Sequence, residues 1–160
     1  MKQDFQIGNS FDSQTISAGH AKKVWRRIDE QLPGGYHVTN MSDHASAGLI
    51  QAGMAVVKDT TSGADARDVK VLTWSQLSTG ISGTGGIDSL NIIGFTQEDV
   101  PVYQHGSGGS ATYNYGTCNI VVKGEIYGYM LGATVTAAAT ISAGVKGMTQ
   151  KNGLAIRVID

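Results

Sequence analysis

The sequence predicts a mainly β fold, a small β-barrel or β-sandwich-like domain carrying an N-terminal arm and a short helix. Three observations point there. Short runs rich in Val and Ile are separated by polar Gly/Ser/Thr segments, the pattern of strands joined by turns and loops. The strongest run, CNIVVKGEIYGYML at 118–131, alternates: Ile120, Val122, Gly124, Ile126, Gly128 and Met130 fall on one face, and Val121, Lys123, Glu125, Tyr127, Tyr129 and Leu131 on the other. Glycine occurs 22 times in 160 residues, about twice the usual share.

Taken in order, residues 1–19 are polar and punctuated by Gly and Ser, which reads as an extended arm or a poorly ordered tail. AKKVWRRIDEQL follows, with Ala21, Val24, Trp25, Ile28 and Leu32 at three- and four-residue spacing, predicting a short amphipathic helix over 21–32. Lys22, Lys23, Arg26 and Arg27 flank that stripe, and Pro33, Gly34 and Gly35 stop it. Residues 1–44 thus read as an arm with a helix, and 45–160 as a β-rich domain. In the second part MAVVK (54–58), VKVLTW (69–74) and LNIIGF (90–95) read as strands. SQLSTGISGTGGIDS (75–89) and YQHGSGGSATYNYGT (103–117) read as long loops. Gly124 and Gly128, four apart on one face, predict curvature or close backbone approach. ATVTAAATISAGVKGMT (133–149) admits a helix from its alanines or short strands from its Val, Thr and Ile; strands and turns are favoured. GLAIRVID closes the chain as a strand through Leu154, Ile156 and Val158.

Charged residues make up only 16%, against roughly 25% in an average soluble domain, so the surface is built of Ser, Thr, Asn and Gly. Twelve Lys and Arg against thirteen Asp and Glu leave a net charge of −1, so no overall field recruits nucleic acid or anionic lipid. No stretch has signal-peptide or membrane-span character, which places synthesis in the cytoplasm and predicts no membrane partner. Cys118 stands alone and opens an apolar strand, the position of a core thiol.

Chemistry-bearing motifs are sparse. His20, His37, His44 and His105 form no HExxH or HxH pattern, and His37, Asp43 and His44 would make a site only if the fold converged them. GISGTGG (80–86) lacks the Gly-Lys-Ser/Thr ending of a phosphate loop, its next charge being Asp88. No catalytic residue, cofactor or metal is therefore predicted. Tyr103, Tyr113, Tyr115, Tyr127 and Tyr129 cluster in the last third without the basic groove that single-strand binding requires; they read as a subunit interface first, an ordinary sheet surface second, and a platform for sugars or bases third.

AGLIQAGMAVVK (47–58), with Gly53, Ala55 and Val56, LNIIGFTQEDV (90–100), with Gly94 and Phe95, IVVKGEIYGYM (120–130), with Gly124, Glu125 and Ile126, and ATVTAAATISAGVKGM (133–148), with Val135, Thr136, Ala143 and Gly144, together resemble the structural cement or decoration proteins of tailed-phage capsids. The resemblance covers roughly residues 45–160; the first 44 residues and the Gly/Ser loops lie outside the family pattern. It implies a non-enzymatic protein on the outer surface of the virion that bridges neighbouring major capsid proteins, commonly as a homotrimer, with no direct nucleic-acid contact. In that setting the arm and the stripe Val24, Trp25 and Ile28 would grip the capsid or a neighbouring subunit, and the tyrosines would line subunit contacts. A receptor- or glycan-binding module of a fibre or spike, using the 103–117 loop, is the alternative.

Overall fold

The computed structural model describes residues 24–106, 111–148 and 154–160. Strand accounts for 37% of the described residues and helix for 26%, in a curled, barrel-like sheet with two short α-helices. The predicted mainly β architecture is therefore observed. The predicted arm at 1–19 lies outside the described residues.

The first described element corrects the sequence reading. β1 (Trp25–Gln31) is a strand, where a helix was expected. It pairs antiparallel with β11 (Ile120–Tyr127), and its register shifts between Trp25 and Arg27 and again between Ile28 and Glu30. Each bulge inserts an extra residue. Trp25 is buried, Arg26 and Arg27 are exposed, and Ile28 is partly buried, so a doubly bulged strand reproduces the three-residue spacing of an amphipathic helix. Beyond Pro33–Gly35 the chain resumes pairing as β2 (Tyr36–Val38), antiparallel to β10 (Gly116–Cys118). Residues 25–38 and 116–127 are thus two long bent strands paired side by side, one broken at Pro33–Gly35 and the other at Asn119. These N-terminal strands belong to the same sheet as the rest of the domain.

The remaining strands complete the curl. β4 (Ala55–Lys58), β5 (Asp68–Val71) and β6 (Ile92–Thr96) lie within a path ordered β1-β11-β6-β4-β5-β2-β10. β5 pairs parallel with β2, and β6 pairs with Ile120 and Val121 of β11. Because only Asn119 separates β10 from β11, the pairings return on themselves and the sheet wraps around one core. Val56, Val71, Phe95, Ile120 and Ile126 are fully buried there. β12 (Ala155–Ile159), the predicted final strand, pairs parallel with residues 123–127 on the edge of β11 that β6 leaves free. β3 (Leu49–Ile50) pairs with β7 (Val100–Pro101), and β8 (Gln104–His105) with β9 (Thr112–Tyr113), which makes the predicted 103–117 loop a small hairpin.

Two helices replace expected loops or strands. α1 (Trp74–Ser82) begins at a capping box, with Thr73 Oγ1 accepting from the Gln76 N–H and Gln76 Oε1 accepting from the Thr73 N–H. α2 (Val135–Lys146) begins with Thr134 Oγ1 accepting from the Ala137 N–H. Leu77 of α1 and Ile141 and Val145 of α2 are buried in the core, and Gly144 lies against Ile81, so the helices pack closely. That burial and the N-caps outweigh the Val and Thr content of α2.

Polar groups fix the joints. Asn40 Oδ1 accepts from the Val71 N–H and its Nδ2 donates to Val71 O, both at 2.9 Å, continuing the β2–β5 pairing with a side-chain amide. Trp25 Nε1 donates to Thr96 O at 3.0 Å, joining β1 to β6 beneath the sheet. The expectation of close backbone approach holds at Gly124, where a Cβ would lie 2.5 Å from the Arg27 carbonyl oxygen. Gly124→Val is therefore expected to lower stability by about 1–3 kcal/mol, read from the midpoint of urea unfolding, because strand β1 must move to admit the side chain.

Candidate functional site

The residues proposed from sequence as contact residues separate into two groups. Val24 and Trp25 are 4% and 6% exposed and sit in the core, and Ile28 packs against it. They do not form a gripping surface, because the bulged strand turns them inward. The tyrosines divide between the ends of the 116–127 strand. Tyr115, 89% exposed, precedes β10, with its ring 5.6 Å from that of His37 and tilted by 34°. Tyr103 is exposed and Tyr113 half-buried on the adjoining hairpin. At the other end, half-buried Tyr127 lies 5.5 Å from the ring of Tyr129, which is 63% exposed. Tyr129 belongs to a 3₁₀ turn (Gly128–Met130) that packs against α2, whose first residue, Val135, is 90% exposed. Sequence reasoning missed Val135 as a surface residue because it took 133–149 for strands.

The Tyr115 end contains an open hollow of about 230 Å³ lined by Glu98, Asp99, Pro101, Asn114, Tyr115 and Thr117. Asn114 builds its rim: Oδ1 accepts from the Tyr103 N–H at 2.8 Å and Nδ2 donates to Pro101 O at 3.0 Å. Asp99 Oδ1 accepts from the Ala52 N–H, and Glu98 Oε1 accepts from Asn119 Nδ2. Both acids are exposed nonetheless.

The other end carries a row of charge. Glu125, mostly buried, faces Arg157 at 3.5 Å, Arg26 at 3.6 Å and Arg27 at 3.9 Å. The strand register places Arg27, Glu125 and Arg157 side by side on β1, β11 and β12. This cluster spans three strands distant in sequence.

His37, His44, Asp43, Asp59 and Asp68 serve the fold. His44 is buried and its Nε2–H donates to Val71 O at 2.9 Å, His37 Nδ1 meets Asp68 Oδ1 at 3.0 Å, and Asp43 accepts from Asn40. His37, Asp43 and His44 therefore face different partners, and among the described residues no group of three His, Cys, Asp or Glu is arranged to hold a metal. Among the same residues no helix is long and apolar enough to cross a membrane. Asp59 is held well below the usual carboxylate range, first by the Thr39 hydroxyl at 2.6 Å, then by Thr61, with Lys70 at 3.0 Å adding to them against the effect of burial. Asp68 is lowered by the Asp65 N–H first and by His37 second. Burial, and secondarily Glu98, pushes the Cys118 thiol up to about 11.

No protein-family model matches this sequence, no curated protein matches it, and no solved structure matches its fold.

Two outcomes follow from these environments. Since Asp59 and Asp68 have depressed folded-state values, the stability they confer is present above about pH 4 and is lost as pH falls further. Urea unfolding followed from neutral to acid pH should show that decline, and Asp59→Asn should reduce its slope. Cys118 should resist alkylation in native buffer at neutral pH and react fully once the protein is unfolded.

Proposed function

We propose that this protein is a non-enzymatic capsid cement or decoration protein, binding the outer surface of a tailed-phage head and bridging neighbouring major capsid proteins. The observation that carries the reading is the exposure of Tyr129 and Val135, large apolar side chains on a 3₁₀ turn and on the first residue of the helix packed against it, which the fold leaves unused although it buries Trp25, Phe95 and Leu131. Tyrosine at such a place combines a large apolar area with a hydroxyl that keeps a polar partner, the character of an interface anchor. A bridging protein needs a second surface held at a fixed separation from the first. Tyr115 and its hollow supply it at the far end of the 116–127 strand, an extended path of at most about 40 Å. Tyr129 and Val135 face the shell, and the Tyr115 end faces a neighbouring molecule. Such bridging opposes internal pressure through buried contact area repeated by symmetry, with no reacting group.

The test is addition of purified protein to expanded, undecorated capsids, followed by sedimentation and imaging. Stoichiometric ordered density at capsomer junctions is expected, and the double variant Tyr129→Ala, Val135→Asp should weaken binding at least about tenfold while its thermal melt stays near that of the parent. Absence of binding, or unaltered binding of the variant, contradicts the reading; binding to a glycan panel without capsids would favour a receptor-binding module instead.

A further inference from the structure

Charge is scarce on this chain, yet two of its exposed clusters are opposite in sign and complementary in chemistry. At the β11 end, Arg26, Arg27 and Arg157 surround the single carboxylate of Glu125, and their side chains are 57%, 62% and 79% exposed. Their contacts to Glu125 span 3.5–3.9 Å, longer than a close charge-assisted hydrogen bond, so even with Asp29 bound to Arg27 the row keeps guanidinium N–H groups for a further carboxylate. At the other end, the hollow beside Tyr115 presents Glu98 and Asp99, and among the described residues no basic side chain lines it.

We infer that copies of this chain join head to tail, the Arg26/Arg27/Arg157 row of one seated on the Glu98/Asp99 hollow beside Tyr115 of the next. The occupant of the hollow is a second copy because the chain itself supplies the matching charge. The two patches are different surfaces of one molecule, separated by the strand that runs from Tyr115 to Glu125, so the contact is heterologous. Such contacts close into a ring or extend as a chain, according to the rotation between copies. The inference deepens the bridging reading, since it identifies the neighbour at the Tyr115 end, and it is tested without capsids, so its failure is separable from failure of capsid binding.

The experiment is sedimentation of the full chain at low and high salt, alone and with two variants, Arg157→Glu on the basic row and Glu98→Lys in the hollow, each checked for folding by its thermal melt. The wild type should self-associate at low salt and dissociate as salt rises, because the contact is made by exposed charges. Each variant alone should associate at least about tenfold more weakly. An equimolar mixture of the two should recover association, because each provides the intact surface that the other lacks and the altered charges also complement one another. A wild type that is monomeric at low salt, association insensitive to salt, or a mixture no more associated than its components overturns the inference. The salt response of the wild type decides the matter even where a variant fails to fold.

Discussion

The structure depends on the pairing of two long bent strands, residues 25–38 against 116–127. Along β11 this pairing occupies one edge, while β6 and β12 divide the other, so its peptide groups have partners on both sides. Breaks at Pro33–Gly35 and at Asn119 let both strands bend, and that bend carries the sheet around far enough for β2 to meet β5. Gly124 allows the two backbones to approach at the bulge. The interior then fills with Val, Ile and Phe side chains, and α1 and α2 cover what the curl leaves open.

The same strand connects the two ends that matter for recognition. Tyr115 and the acidic hollow stand where it begins; Tyr127, Tyr129 and the arginine row stand where it finishes. Polar groups inside the domain are consumed by its joints, as with Asn40 and His44 on the backbone of Val71 and Asp59 beneath Thr39. Among the described residues no buried side-chain nitrogen or oxygen lacks a partner. The described surface includes exposed aromatics and, near the two ends of this strand, two charge clusters of opposite sign, features suited to contact with other protein.

Much of the sheet was legible. β4, β11 and β12 fall within the predicted strands, and β5 and β6 overlap theirs with Asp68 and Thr96 one residue outside, because alternation and β-branched content are local signals. β1 was misread for a physical reason: two bulges convert a period of two into steps of three, and only the distant partner β11 stabilises the extended form. α1 did carry a local signal, the Thr73–Gln76 capping box, hidden in a Gly/Ser/Thr-rich stretch. α2 balanced alanine against Val and Thr, a contest decided by its packing on α1 and the core. The tyrosines were found in the sequence, whereas the row around Glu125 was not, since Arg26, Arg27 and Arg157 meet only through strand register.

The central claim is that one doubly paired strand holds the whole molecule and both of its recognition ends together. Native-state hydrogen exchange measured residue by residue tests it most directly. The amides of Val121 through Ile126 should be the slowest in the protein and should exchange only through global unfolding, together with those of Trp25–Gln31 that pair with them. Faster, independent opening of residues 25–38, with 116–127 still protected, would contradict the account.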